Sequence, residues 1–216
     1  MAIKQPAGTP ALAGAGTTRA AKPQTAERRT AILEAATSVF GSRGYNNGSL
    51  VEIAERVGMT HAGVLHHFGT KEKLLLAVLA HRDEDDIERL ADRRRPVGAE
   101  FLAHLVHTTR ENTERRGIVQ AYAVLSAESV TGDHPAQQFF RGRFDGLRLV
   151  VADALGATVG ADPADARVVA AASAIIAVMD GLQVQWLLDP HVVDMPETVQ
   201  LVIDAIVESL RQRVSA

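Results

Sequence analysis

Apolar positions recur at helical spacing from Thr25 onward. A first amphipathic helix is predicted to begin there and to end near Gly41–Gly44. Its inward positions are Ile32, Leu33, Ala36, Val39 and Phe40. No stretch alternates with period two over a useful length, and Asn47-Gly48 precedes a helix cap rather than a hairpin. The pattern therefore predicts an all-α protein of about nine helices.

Two short helices joined by a tight glycine turn come after the first helix. Ser49 is the expected N-cap of one, with Glu52 three residues on, as in a capping box. Gly58 is expected to close that helix, because a tight exit requires a positive φ. Thr60 is the expected N-cap of the second short helix. A long helix before two short ones predicts a helix-turn-helix over residues 49–68.

The remaining helices are divided by glycine and proline. A fourth helix is predicted from Thr70 to Pro96, and five more come after it. The predicted breaks between those five are Gly117, Thr131–Pro135, Gly156–Pro163 and Asp189–Pro196. Residues 1–24 are rich in Ala, Gly, Pro and Thr, and are predicted to form a flexible arm because they bury too little apolar surface.

Composition narrows the class of protein. The chain has 216 residues, of which 46% are hydrophobic and 4% aromatic, and it has no cysteine. Disulfides, thiolate nucleophiles and cysteine zinc sites are excluded. The apolar run Val168–Met179 is too short to span a bilayer, and no apolar signal segment comes after Lys4. We expect a soluble cytoplasmic protein without a membrane partner.

Charge is divided unevenly along the chain. The net charge is −3, which alone argues against a general nucleic-acid binder. Residues 1–82, however, carry 10 Lys and Arg against 5 Asp and Glu, whereas residues 83–216 carry 13 against 21. A basic first part, at +5, followed by an acidic part, at −8, predicts that the first part faces a polyanion.

The second helix of a helix-turn-helix lies in the major groove of DNA. Val64 and Phe68 are expected to face inward, and Ala54 is small enough for the two helices to cross closely. Helix N-termini bind phosphate, and Lys71 adds a charge beside one of them. The predicted DNA-facing residues are Ser49, Thr60, His61, Ala62, Gly63, Leu65, His66, His67, Thr70 and Lys71.

The stretch SLVEIAERVGMTHAGVLHHFGTKEKLL (49–75), preceded by RTAILEAATSVFGSRGY, resembles the TetR family of bacterial transcriptional regulators. The family's Ile-Ala pair, glycine turn, short helix ending in His-Phe and Lys-Glu-x-Leu-Leu are all present. The resemblance implies a homodimer that binds double-stranded operator DNA and releases it when a small-molecule effector binds. It implies a DNA-binding domain over 25–86, and a ligand-binding and dimerisation domain over 87–216.

The resemblance also assigns roles to single residues. His67 and Lys71 match the family's phosphate-contacting positions, whereas His61, Ala62 and Gly63 match positions in the groove. One position departs from the family pattern, because Leu65 stands where the family usually has tyrosine. A leucine there cannot make one phosphate hydrogen bond but can contact a thymine methyl group.

Metal binding and catalysis are weaker interpretations of the same chain. His61, His66 and His67 are spaced by five and one, so they do not converge on a metal. His104 and His107 can share one face of a helix. For these two residues, a place in a pocket lining or on the surface is favoured over metal coordination. No nucleophile elbow or phosphate loop is present. We expect no catalytic residue, metal or cofactor.

Two charged groups have open interpretations. The acidic run Asp83–Asp86, just before Arg93–Arg95, is favoured as a solvated helix face rather than a carboxylate site. Arg28 and Arg29 lie in the first turn of the first helix, where the macrodipole disfavours cations. They are either a solvated helix end or phosphate contacts.

The helix predicted from about Pro163 to Leu188 is apolar on two faces. One face carries small residues and permits close helix approach, and the other carries Ile175, Met179, Leu182 and Trp186. TetR-like proteins dimerise through their last two helices, and packing of both faces within one chain is the alternative. The predicted dimer residues are Ala170, Ala174, Ala177, Gly181, Val199, Val202, Ile203, Ile206 and Leu210.

An effector pocket is expected among the middle helices. Its candidate lining is mostly apolar with few polar groups, which favours a largely hydrophobic ligand. The candidates are Phe101, His104, Leu105, Tyr122, Leu125, Phe140, Phe144, Met179, Gln183 and Trp186. Two other functions stay open: an architectural DNA-binding protein without a ligand, and a helical enzyme that uses the region of His104 and His107.

Overall fold

The computed structural model describes the backbone of residues 23–91 and 96–214, and the side chains of 25–81 and 96–212. These residues form α-helices and no strand, which confirms the predicted all-α fold. The helices are α1 Pro23–Asn47, α2 Leu50–Arg56, α3 His61–Phe68, α4 Lys71–Ala91, α5 Ala99–Glu114, α6 Arg116–Glu128, α7 Gln137–Val159, α8 Ala166–Leu188 and α9 Met195–Val214.

Several predicted boundaries differ from the structure. Helix α1 begins at Pro23, inside the predicted arm, because proline's fixed φ suits a first helical position. The end predicted near Gly41–Gly44 agrees with the break at Gly44, whose backbone is non-helical, and the residues after the break continue α1 to Asn47. The break predicted at Gly117 falls at Arg115, where φ is −118°, and Gly117 is helical within α6. The rest of the arm, and the side chains of Asp83–Asp86 and Arg93–Arg95, lie outside the described residues.

The first four helices form the N-terminal domain (α1–α4), which packs around one core. Phe40, Ile53, Val64, Leu74 and Leu75 are fully buried there. The same core continues into α6 and α7, through residues such as Tyr122, Leu125 and Phe140. The N-terminal domain is therefore joined to α6 and α7 by apolar packing, and not only by the covalent chain that continues from α4.

Helices α5–α9 form the C-terminal lobe, which has a second core. Helix α8 packs against α7, α9 and α6, and α5 packs against α9 and α7. Ile175, Leu182 and Trp186 of α8 are buried in this core, so the bulky face predicted to fill a core does so. Among the helices in the described part of the chain, α8 is the one that is long and apolar enough, by length and composition, to cross a bilayer.

Candidate nucleic-acid interface

Side-chain caps fix the geometry of the helix-turn-helix. The Ser49 hydroxyl accepts hydrogen bonds from the N–H groups of Val51 and Glu52, at 3.2 and 3.5 Å. The Glu52 carboxylate pairs with Arg56 at 2.8 Å instead of completing a capping box. Gly58 closes α2 with φ of 64°, where only glycine is unstrained. These local bonds set the angle at which α3 leaves the turn.

The outer face of α3 carries the residues predicted to meet DNA. Val64 is fully buried and Phe68 is 7% exposed, so both anchor the inner face as predicted. The Thr60 hydroxyl caps the helix by accepting from the Gly63 N–H at 3.1 Å. Thr60, His61, Ala62 and His66 are exposed, and Gly63, Leu65 and His67 are partly so. The predicted set therefore shares one accessible surface, and its contact with DNA stays a prediction.

Lys71 stands at the start of α4, where it also contacts the end of α1. Its Nζ donates to the Asn46 carbonyl oxygen at 3.2 Å and lies 4.6 Å from the centre of the Tyr45 ring. Burial lowers the pKa of Lys71, and the nearby Glu128 carboxylate acts in the opposite direction. The ammonium group is therefore held in place before any phosphate arrives. Ser49 and Thr70, which cap α2 and α4, both lie at the surface of the same domain.

Arg29 has a role that sequence reasoning missed. Both sequence interpretations left it on the surface, as a solvated end or a phosphate contact. In the structure its guanidinium packs on Phe68 and donates to the backbone carbonyl of His67. The start of α1 is thereby tied to the end of α3. No local signal reveals this contact, because Arg29 and His67 are 38 positions apart.

The predicted dimer residues divide into two groups, of which the first lies on α8. Ala170, Ala174 and Ala177 are exposed or partly so, and Gly181 is half-buried. We call these four the small-residue stripe. The stripe continues with Val184 and Leu188, which are 48% and 83% exposed. Contiguous exposed apolar residues are typical of interaction surfaces, and the role of this stripe in a dimer stays a prediction.

The predicted seam on α9 differs from the structure. Val199 and Ile203 are 1% and 3% exposed and belong to the lobe's own core. Ile206 and Leu210 pack against that core, and Val202 is partly exposed. The reason is the rotation of α9 about its own axis, which turns its apolar face toward α5 and α8 of the same chain. Its outward apolar residues are instead Leu201 and Ala205.

The predicted pocket residues are not brought together as one group. Tyr122, Leu125 and Phe140, with Phe144 packed on them, belong to the core of the N-terminal domain. Leu105 and Trp186, with Phe101 and Met179 packed on them, belong to the core of the C-terminal lobe. His104, half-buried, stacks near Phe101 with ring centres 6.3 Å apart. The residues packed in the core of the C-terminal lobe, together with Gln183, are the predicted pocket residues that lie inside that lobe.

Two buried polar side chains in the C-terminal lobe are informative. Asn112 of α5 and Gln183 of α8 are 2% and 8% exposed. Polar side chains are uncommon in a core of this kind, and a buried one can hydrogen-bond to a bound water or ligand. The sequence analysis proposed Gln183 as a pocket residue but not Asn112, because nothing in the sequence distinguishes Asn112 from an ordinary residue near a helix end.

Family profiles match both parts of the chain. Residues 32–78 match the profile described as bacterial regulatory proteins, tetR family. Residues 100–212 match the profile of the BetI-type transcriptional repressor, C-terminal. The chain belongs to the TetR family. The family, the fold class and the function of a DNA-binding transcriptional regulator, all predicted from the sequence, are confirmed.

Relatives of this TetR-family protein cover almost its whole length. The transcriptional regulator TtgR of Pseudomonas putida is 28% identical over 206 residues, which is 89% of this chain and 96% of TtgR. The structure of NalD, the secondary repressor of the MexAB-OprM multidrug efflux pump in Pseudomonas aeruginosa, has a TM-score of 0.62 at 21% identity, over 85% of this chain and 95% of NalD. A SmeT–triclosan complex has a TM-score of 0.69 at 19% identity, over 85% and 91%. At these identities the two structures establish a shared fold.

Proposed function

We propose that this TetR-family regulator is a cytoplasmic repressor that binds an operator with α3 and leaves it when an apolar small molecule binds the C-terminal lobe. The observation that carries the proposal is the accessible outer face of α3, with His61, Ala62 and His66 exposed over a buried inner face. The match of the lobe to a repressor profile favours repression over activation.

The protein is proposed to act as a homodimer. A dimer that reads two half-sites places its recognition helices about 34 Å apart, in successive major grooves. The small-residue stripe of α8, with Val184 and Leu188, is the proposed contact, together with Leu201 and Ala205 of α9. A stripe of alanine and glycine lets two α8 helices approach closely, because no bulky side chain separates them.

The effector is proposed to bind among the lobe residues Phe101, Leu105, Met179, Gln183 and Trp186. Most of this lining is apolar, which suits a ligand that is largely hydrophobic. Gln183, a buried polar side chain among these apolar residues, supplies hydrogen bonds to the ligand's polar part. SmeT, which shares the fold, binds a small molecule, triclosan.

A footprint with the purified protein on DNA flanking its own gene tests DNA binding. We expect protection of two half-sites one helical turn apart. Absence of any protected sequence there or elsewhere in the genome would contradict the proposal.

Effector action is tested by linkage. A library is first screened for molecules that raise the melting temperature, and each hit is titrated with and without operator. A ligand acts only through its differential affinity for two states, and coupling of about 1–3 kcal/mol changes operator affinity roughly 5–150-fold. Operator must then weaken ligand binding by the same factor. If every stabilising ligand binds equally well in both cases, the proposed role of the C-terminal lobe as an effector-binding lobe is wrong.

A further inference from the structure

A break in α1 opens a contact between the two parts of the protein. At Gly44 the backbone has φ of 71° and ψ of 175°, so the helix is interrupted there. The next N–H, that of Tyr45, donates to the Glu128 carboxylate of α6 at 2.7 Å. A Cβ atom at position 44 would overlap that carboxylate. Glycine is therefore required here both for its backbone conformation and for the space it leaves.

The Glu128 carboxylate lies beside His134, a residue between α6 and α7, without a hydrogen bond between the two side chains. The His134 Nδ1 accepts from the Ala136 N–H at 3.2 Å, so the ring proton of the neutral imidazole is on Nε2. This Nε2 faces the Glu128 carboxylate at 3.7 Å. The His134 ring also stands edge-on to Tyr45, with ring centres 5.3 Å apart. We call Gly44, Tyr45, Glu128 and His134 the interdomain clamp.

The clamp leads directly to the interface proposed for DNA. The ring of Tyr45 lies beneath the Lys71 ammonium group, and the next carbonyl, that of Asn46, accepts its hydrogen bond. Lys71 therefore rests on the two residues that come directly after the break in α1. If the Tyr45 backbone moves, the support of Lys71 moves with it. No part of this route passes through the length of α4.

We propose that Glu128 is the positioning residue through which the C-terminal lobe holds Lys71 in its DNA-contacting place. The inference rests on the proposed function, because Lys71 is taken as a phosphate contact. Besides the direct electrostatic effect of its carboxylate on Lys71, Glu128 acts through the Tyr45 backbone, from whose N–H it accepts a hydrogen bond. A shift of the segment that carries His134 is transmitted to Lys71 as a change in the clamp. This route is separate from a second link, in which the Tyr122 hydroxyl donates to the Leu79 carbonyl of α4 at 2.8 Å.

The test compares Glu128→Ala, Glu128→Gln and Ser129→Ala in the full chain. Alanine removes the acceptor for the Tyr45 N–H, whereas the carbonyl oxygen of glutamine keeps it. Ser129 is a buried neighbour whose hydroxyl donates to the Ser126 carbonyl at 2.7 Å, outside the clamp. Its alanine variant controls for general loss of stability. Each protein is titrated with operator at several salt concentrations, and hydrogen exchange of the Tyr45 amide is measured by NMR.

Glu128→Ala is expected to bind operator roughly tenfold more weakly, because the apparent affinity falls with the fraction of molecules in the competent state. The slope of log affinity for operator against log salt concentration should become shallower by about the contribution of one phosphate contact per subunit. The Tyr45 amide should also exchange its hydrogen faster than in the parent protein. Glu128→Gln should keep most of the affinity, and Ser129→Ala should match the parent protein in affinity and salt slope.

Two outcomes would overturn the role of Glu128. One is a Glu128→Ala protein that matches the parent in operator affinity, salt slope and Tyr45 exchange. The other is an equal loss of affinity in Glu128→Ala and Ser129→Ala, which would mean general destabilisation. A parent protein that binds no operator would instead contradict the proposed function itself, so the two failures are distinguishable.

Discussion

The guanidinium of Arg29 lies 4.2 Å from the centre of the Phe68 ring, and its Nη1 donates to the His67 carbonyl oxygen at 3.3 Å. Because Phe68 anchors α3 and His67 is a proposed phosphate contact, this pair connects the start of α1 to the helix that is proposed to face DNA. Arg29 thus stabilises the recognition helix from behind.

Arg29→Met should destabilise the protein by about 0.5–1 kcal/mol, the usual size of an exposed cation–π contact. The free energy of unfolding in urea measures this loss. If the role is intramolecular, the salt slope of operator binding stays unchanged. A slope that falls by about one unit per subunit would make Arg29 a phosphate contact instead. Arg28→Met, on the neighbouring exposed residue, is the control for the free energy of unfolding alone, because Arg28 also has an open interpretation as a phosphate contact.

Lys71→Ala should weaken binding to operator and to unrelated DNA alike, because a phosphate contact reads no sequence. The salt slope should fall by about one unit for each phosphate contact that the substitution removes, counted per subunit. Lys73→Ala removes an exposed charge from the same helix and serves as control. An unchanged salt slope in Lys71→Ala would mean that the ammonium group serves only the contact with Tyr45 and Asn46.

Gly181→Leu should separate the dimer. Within one chain no atom lies within 4 Å of a Cβ built at Gly181, so the fold of the chain accommodates the new side chain. Across a closely packed pair of α8 helices, the same side chain overpacks the contact, at a cost of about 1–3 kcal/mol. Sedimentation should show a monomer. Gly117→Leu, also at a position with open space, should stay dimeric. A Gly181→Leu dimer of unchanged strength would place the interface elsewhere.

Gln183→Leu should stabilise the protein without effector, because burying an amide side chain is costlier than burying an apolar side chain of similar size. It should also weaken binding of the molecules found in the thermal screen, since their polar part no longer has a partner. Gln185→Leu changes an exposed residue of the same helix and should do neither. If Gln183→Leu lowers the melting temperature and leaves ligand binding unchanged, Gln183 has a structural role.

The sequence by itself determined the features that depend on neighbours along the chain. The caps of α2 and α3 were predictable because Ser49 and Thr60 bond to N–H groups two or three residues on. The inward positions Val64 and Phe68 could be read from helical spacing. The family motif is also contiguous, so the surface proposed to face DNA could be described from the sequence alone. Such contacts are local, and local geometry is fixed by residue type.

Only the tertiary structure decided which surface covers each apolar face. Periodicity shows that one side of α9 is apolar, but not whether its own chain or a partner buries Val199 and Ile203. The candidate pocket residues were divided between two cores for the same reason. The contact of Tyr45 with Glu128 joins residues 83 positions apart, and no pattern of spacing encodes it. Contacts of this kind depend on how helices pack, which is set by the shapes of many side chains together.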